Sequence, residues 1–299
     1  MALITNKKER TMKNTQPKSK VATKAGNAVK FKAIRPSGTR FGYCINCYDG
    51  CGHGCIYCYG MKARYMKYRD WIKPRPRYQV VDWLRNDIEL IKQHPEIKTE
   101  IKDFMICSIT DCYQPLELEH RLTREVIKIL IQNDLPFTVL TKNVNVLEDI
   151  ALFRNYDKCR AGLTIVTLDD TLRQKLEPNS SPIDERINAI KELKQAGINT
   201  YCSVEPILPD KRSDPIAIAE LLKDYVDLFE FGKWNPKKHR AEIENTLGTR
   251  YNREYYVEVF KDIAEYCADN DVTYCHAGHS KDYLMKRGME FIPYPTVLQ

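Results

Sequence analysis

The 299-residue chain has no apolar run near the roughly 20 residues that a membrane-spanning helix needs; AGLTIVTL at 161–168 is among the longest. Its start, MALITNKKER, lacks the apolar stretch of a secretory signal. A soluble, cytoplasmic protein with no membrane partner is therefore expected. Acid is scarce at the amino end. Residues 1–40 hold 11 Lys and Arg but one acid, Glu9, a net of +10, while the remaining 259 residues carry −3. No repeat of fixed period and no low-complexity tract follows that stretch. A chain of this length, 43% hydrophobic, buries roughly three quarters of its unfolded surface if it folds as one unit. A fibre, a disulfide-stapled mini-protein and a disordered polymer are excluded.

The basic excess is thus a property of the amino end. That segment is rich in Thr, Asn, Ser and Gly and poor in large apolar residues until Val29–Ile34. Residues 1–36 are expected to be a flexible tail. It serves either as a nucleic-acid arm or as a solubilising lead into the fold over 37–299.

What the sequence does have is cysteine. The eleven cysteines are odd in number and no secretion signal accompanies them, so a disulfide framework does not fit. Five of them, Cys44, Cys47, Cys51, Cys55 and Cys58, fall in GYCINCYDGCGHGCIYCYG (42–60). Such clustering reads as metal binding.

Beyond this loop, β-favouring runs alternate with amphipathic ones. Strands are expected at 103–110, 136–143, 161–167, 198–207, 227–234 and 272–278. Helices are expected at 61–71, 80–94, 121–133, 146–156, 181–197, 215–225 and 252–270. Ser181 is placed to cap the 181–197 helix, Pro182 to sit in its first turn and Gly197 to stop it. The alternation means βαβ units and a mostly parallel sheet. Chemistry in such sheets gathers at the carboxyl ends of the strands. Thr110, Asp111, Thr141, Lys142, Thr167, Glu205 and Lys233-Trp234-Asn235 stand there. An open sheet and a partial or full barrel all fit this string.

Only Cys51, Cys55 and Cys58 fit the spacing C-x3-C-x2-C. Three thiolates on one tight loop can each hold one iron of a four-iron cubane, which leaves the fourth iron open to a ligand. Gly50, Gly52, Gly54 and Gly60 let the backbone wrap closely. Tyr57 and Tyr59 offer aromatic surface to a bound heterocycle. The competing reading is zinc, with Cys44 and Cys47 joined by Cys51 or by Cys55 and Cys58. A non-enzymatic zinc or iron–sulfur protein that binds nucleic acid would follow from it. Zinc ribbons use two widely separated cysteine pairs and predict no large βα array, so Cys44 and Cys47 are read as spectators.

The loop Asn46-Cys47-Tyr48-Asp49-Gly50-Cys51-Gly52-His53-Gly54-Cys55-Ile56-Tyr57-Cys58-Tyr59 resembles the radical S-adenosylmethionine (radical SAM) superfamily. It is most similar to the branch of spore photoproduct lyase and DNA-repair-photolyase-like proteins. The resemblance continues in Ile109–Pro115, Leu122-Thr123-Arg124, Leu140–Asn143 and Pro206–Pro209, and covers roughly residues 40–240. It implies an α/β fold, a partial (β/α)6 barrel of the TIM-like type. It also implies a [4Fe-4S] cluster on Cys51, Cys55 and Cys58. S-adenosylmethionine would bind at the open iron and be cleaved by one electron to a 5′-deoxyadenosyl radical. A donor such as flavodoxin or ferredoxin would supply that electron. By the same resemblance Tyr57 and Tyr59 line the nucleoside, Thr110 and Lys142 meet the methionine part, and Thr164 lies on the next strand. A cation near the ligand's carboxylate is chemically apt, although Lys142 also suits an ordinary surface lysine. Asp111 either binds the ammonium end or starts the loop as a turn residue. Glu205 either touches S-adenosylmethionine or substrate, or caps a solvated turn.

A lyase of the DNA-repair kind needs a thiol that quenches the substrate radical. Cys107 is the candidate by neighbourhood and Cys112 by its loop. Strand alternation turns Cys107 away if Thr110 faces the site. Cys47 and Cys112 both stand where related sequences often carry Pro. DNA or RNA leads as substrate, a peptide follows, and the sequence leaves the choice open. His53 is read as a loop histidine bonding backbone, not as a ligand. Cys267 and Cys275 are read as buried structural cysteines rather than a second metal site with His276 and His279. Tyr251, Arg253, Tyr255 and Tyr256 suit either base stacking or a helix start packed on the sheet.

Overall fold

The computed structural model describes residues 20–22, 28–37, 42–235 and 240–295. Most of the expected flexible tail, residues 1–19 and 23–27, lies outside them. Residues 29–36 join the fold: Phe31, Ala33 and Ile34 are buried. The backbone amides of Lys32, Ala33 and Ile34 donate to the buried Asp87 carboxylate at 2.8, 2.7 and 2.9 Å.

One eight-stranded sheet organises the chain. Its strands are β1 (Ile34–Pro36), β2 (Tyr43–Ile45), β3 (Phe104–Ile106), β4 (Phe137–Thr141), β5 (Cys159–Thr164), β6 (Thr200–Ile207), β7 (Leu228–Lys233) and β8 (Tyr274–His276). Spatial order follows chain order from β1 to β8. All pairings from β2 to β8 are parallel, and β1 pairs antiparallel with β2. Neighbours in sequence that are neighbours in space, joined by crossovers of one hand, put every crossover on the same face. The sheet then curls as in a TIM barrel. This is the expected α/β half-barrel, extended by a seventh parallel strand at one edge and an antiparallel strand at the other.

Alternation along the strands sorts two faces. Ile106, Phe137, Val139, Ala161, Leu163, Cys202, Val204, Phe229 and Phe231 belong to the main core. The apolar stripes of the helices at Val80–Gln93, Leu122–Gln132, Ile183–Gln195 and Tyr255–Asp269 join them there. The alternate residues Cys44, Met105, Leu140, Tyr201, Leu228 and Cys275 form small clusters on the other face, with Ile292 and Tyr294 packed on them. Tyr294 meets Tyr201 edge-on at 5.8 Å, and the Arg160 guanidinium lies 5.1 Å from its ring centroid. Thr138, Arg160 and Tyr201 are each the second residue of their strand, so the segment 291–295 sits at the amino end of this concave face.

Several boundaries differ from expectation. The 103–110 strand stops at Ile106 because Cys107 takes a left-handed backbone, φ 58°. The 61–71 helix breaks into Gly60–Ala63 and Tyr68–Trp71 around Tyr65, φ 54°. Ser181 does not cap its helix: its hydroxyl accepts from the Val144 amide, and Pro182 holds the cap position. Gly197 stops that helix as expected, at φ 77°. The helices Asp170–Leu176 and Arg240–Leu247 were not foreseen. Among the described residues no helix is long and apolar enough to cross a membrane.

Candidate active site

Strand β2 delivers the chain into the cysteine loop, which neighbouring segments pin at several points. The Cys51 amide donates to the Trp71 carbonyl at 2.9 Å. The Gln114 side chain, itself buried, accepts from Gly52 N at 2.9 Å and donates to Gly50 O at 3.3 Å. Asn179 donates to Gly52 O, and Tyr68 Oη donates to Gly54 O at 3.0 Å. Gly50 has no alternative: φ is 89° and a Cβ would stand 2.6 Å from the Trp71 carbonyl. A Cβ on Gly60 would enter the Trp71 ring at 2.6 Å.

Cys51 and Cys55 are buried and Cys58 is half-buried. Burial pushes the Cys55 and Cys58 thiols up, and the charges of neighbouring cysteines of the trio add to it. The three therefore share one local space. Among the described residues no three His, Cys, Asp or Glu side chains close on a single ion. A cubane makes no such demand, because each thiolate holds a different iron. Two buried polar atoms near the loop, His53 Nε2 and Thr110 Oγ1, have no hydrogen-bond partner among the described residues. Thiol donors on a pinned loop beside unsatisfied polar atoms fit a bound cluster and a polar ligand.

Asp111 ties this loop to the strand ends. Its Oδ1 accepts from Thr141 Oγ1 at 2.6 Å and Tyr113 N at 2.8 Å; its Oδ2 accepts from Lys142 N at 2.9 Å and lies 3.3 Å from His53 Nδ1. Burial opposes the charge, but His53 and these donors hold the carboxyl down to about 2. Asp111, together with the neighbouring Cys51, overcomes burial and raises the His53 imidazole to about 10. His53 thus pairs with a carboxylate rather than with backbone.

Past Thr141, Lys142 places its ammonium 5.8 Å from the Tyr57 ring centroid. Tyr57 Oη donates to Glu177, and Glu177 pairs with Arg186 at 2.6 Å, both fully buried. Burial opposes the Lys142 charge; Glu177, with Cys55 and Asp111, outweighs it and raises the pKa. Arg186 also donates to Thr164 O at 2.9 Å and Ser181 O at 2.8 Å, which links the end of β5 to this ion group. Thr164 itself is buried. Tyr59 reaches the Ser108 carbonyl. Sequence reading missed Glu177 and Arg186. Their one signal is a charged pair flanking the Pro-Asn-Ser-Ser-Pro loop at a strand-end crossover.

Glu205 stands further along, at the end of β6. It pairs with His279 Nδ1 at 3.2 Å, and His279 Nε2 lies 2.7 Å from the Lys233 carbonyl. Cys107 and Cys112 are both in the main core: Cys107 Sγ accepts from Cys47 N at 3.3 Å, and Cys112 Sγ donates to Leu140 O at 3.6 Å. Cys51 and Cys58 belong instead to a separate cluster with Met61 and Trp71. Trp234 is buried edge-on to Tyr251 at 5.7 Å, and Tyr256 is fully buried beside it, so that aromatic group packs the fold. Cys267 and Cys275 are buried.

A half-barrel whose cysteine loop leaves the first parallel strand, with cation, carboxylate and hydroxyl groups on the following strand ends, defines a class of cofactor-dependent βα enzymes. The family model of the Radical SAM superfamily matches residues 45–232, and the chain belongs to that superfamily. Membership implies an enzyme of radical chemistry with a [4Fe-4S] cluster and S-adenosylmethionine. An uncharacterised protein of Methanocaldococcus jannaschii is 32% identical over 222 residues, 72% of this chain and 78% of that protein. Spore photoproduct lyase complexed with dinucleoside spore photoproduct superposes with a TM-score of 0.59 at 17% identity, over 81% of this chain and 78% of that one. Streptococcus suis SuiB bound to S-adenosylmethionine superposes with a TM-score of 0.56 at 12% identity, over 79% and 50% of the two chains. At these identities the two structures show the shared fold.

Proposed function

We propose that this chain holds a [4Fe-4S] cluster through Cys51, Cys55 and Cys58, binds S-adenosylmethionine beside it, and carries out radical chemistry on a nucleic acid. The observation that carries the reading is the pinned C-x3-C-x2-C loop next to the Lys142–Tyr57–Glu177–Arg186 group. When bound, the cluster supplies the single electron that cleaves S-adenosylmethionine. The chain's own residues bind and orient. Lys142 meets the ligand's carboxylate as a cation, and Glu177 and Arg186 fix Tyr57 and Lys142 against it. Asp111 acts as a positioning residue, because its oxygens already hold His53, Thr141, Tyr113 and the Lys142 amide. Thr110 Oγ1, without a hydrogen-bond partner among the described residues, supplies a polar contact. Glu205 faces the substrate side of the same edge.

The nucleic-acid substrate is supported by the +10 amino end and the similarity to spore photoproduct lyase. For a quenching role the candidates are Cys107 and Cys112, both buried in the main core. The test is anaerobic: reconstitute with iron and sulfide, reduce with dithionite, add S-adenosylmethionine and measure 5′-deoxyadenosine. Formation that vanishes in Cys55→Ala supports the reading. Retained formation in Cys51→Ala, Cys55→Ala or Cys58→Ala overturns the ligand assignment. Deleting residues 1–19 tests the arm without touching the buried Val29: unchanged DNA and RNA affinity and salt dependence would remove it.

A further inference from the structure

We propose that the exposed basic and aromatic face of residues 59–78 is the docking surface for a small acidic one-electron carrier protein. The inference rests on the radical SAM reading above. Residues 59–78 contain Lys62, Arg64, Lys67, Arg69, Lys73, Arg75 and Arg77 against one acid, Asp70, a net of +6, whereas residues 41–299 as a whole carry −3. Lys67, Arg69, Lys73 and Arg75 are exposed. Tyr65, Tyr78 and Tyr68 stand among them, exposed by 97, 60 and 43%. Solvent gains nothing from a Tyr so fully displayed, and exposed aromatics within a charged field mark contact surfaces.

The place of this face decides which polyanion it suits. The segment wraps the outside of the cysteine loop and bonds to it directly. Trp71 O holds the Cys51 amide at 2.9 Å, Tyr68 Oη holds Gly54 O at 3.0 Å, and Gly60 N reaches Cys58 Sγ at 3.3 Å. A partner seated on these side chains rests on the very segment whose Trp71 carbonyl and Tyr68 hydroxyl bond the cysteine loop. Electron transfer weakens steeply with distance, so this is where a donor gains most. A substrate, in contrast, must meet the strand ends that carry Lys142 and Glu205. The face is also rich in positive charge. That suits the brief, electrostatically steered encounters of electron carriers, which bury little area. In the encounter one electron leaves the carrier, which is oxidised, and enters the cluster, which is reduced. No atom or proton need move.

The test uses the reconstituted full chain and its Lys67→Glu/Arg69→Glu/Lys73→Glu/Arg75→Glu variant. The probes are reduced flavodoxin, reduced ferredoxin and dithionite. Stopped-flow absorbance reads cluster reduction, and titration at several salt concentrations reads binding of the oxidised carriers. We expect the variant to be reduced by at least one carrier about tenfold more slowly or worse, to bind it more weakly and to lose most of the salt dependence. Reduction by dithionite and the 5′-deoxyadenosine it supports stay unchanged, which shows that fold and cluster survive. The corresponding Gln variants should fall between the two.

Carrier binding and reduction unaffected by the charge reversal would overturn the proposal. So would reduction of the wild type that is equally fast at low and high salt with both carriers. If the four substitutions abolish binding of a DNA or RNA oligonucleotide while leaving reduction intact, the face belongs to nucleic acid and the proposal fails. Absence of 5′-deoxyadenosine with dithionite in the wild type would instead sink the radical SAM reading, and the docking proposal with it.

Discussion

Asp111 Oδ2 lies 3.3 Å from His53 Nδ1 and accepts from the Lys142 backbone amide at 2.9 Å, so one carboxylate joins the cysteine loop to the end of β4. Neither link is visible in the spacing of the cysteines. It makes the geometry of the loop depend on a residue that holds no metal.

Asp111→Asn keeps the shape and removes the charge. His53 is then left buried without its counter-ion. The expected cost is roughly 3 kcal/mol of stability in the metal-free chain. Iron bound per chain after reconstitution should fall as the loop loosens. A denaturant midpoint and an iron assay check both. An unchanged midpoint would show that His53 finds another partner.

The Glu177–Arg186 pair is fully buried on both sides. Breaking such a pair costs more than the pair contributes, because an uncompensated charge remains. Arg186→Met should therefore lower stability by about 3–5 kcal/mol. Glu177→Gln together with Arg186→Met should recover part of that loss. Thermal or urea unfolding of the three proteins decides it: a double variant no more stable than Arg186→Met would mean that the lost hydrogen bonds to Thr164 O and Ser181 O dominate.

Lys142→Met tests the binding role. A hydrogen bond to a charged group contributes about 1.5–3 kcal/mol. S-adenosylmethionine should accordingly bind the reconstituted variant on the order of 10–100-fold more weakly, with iron content unchanged. Calorimetric titration measures this. Unchanged affinity would return Lys142 to the role of a lysine that merely packs on Tyr57.

His276 gives a pH dependence of known sign. Its ring packs among Phe260, Tyr274 and Phe291, and Nδ1 accepts from the Ile292 amide at 3.0 Å. Burial pushes the imidazole down to about 4. The unfolded chain takes up its proton near ~6.5. Across the window between these values the unfolded state binds more protons, so stability drops as pH falls. The loss reaches about 3 kcal/mol once pH passes below the folded value. His276→Gln should flatten that slope. Equal slopes in the two proteins between pH 7 and 4 would assign the acid sensitivity elsewhere.

Much of this was legible in advance. The succession of strands and helices along the chain followed from alternating periodicities, since each crossover helix shows its apolar stripe locally; their order in the sheet did not, because an open sheet and a barrel share that succession. Spacing alone singles out Cys51, Cys55 and Cys58, and their role as ligands is the proposal made above. What stayed hidden depended on contacts between distant segments. Glu177 and Arg186 look like ordinary polar residues at the edges of helices, and only the fold buries them together. Ser181 has the form of a cap, yet Val144, far away in sequence, takes its hydroxyl. Strand β3 reads as eight residues because its composition favours extension, but Cys107 reverses the backbone after three.

The segment 291–295 closes the amino end of the concave face, with Tyr294 lodged against Tyr201 and beneath Arg160. With the amino end filled by its own residues, the described chain leaves the carboxyl rim, where Lys142 and Glu205 stand, as the end at which a ligand would sit.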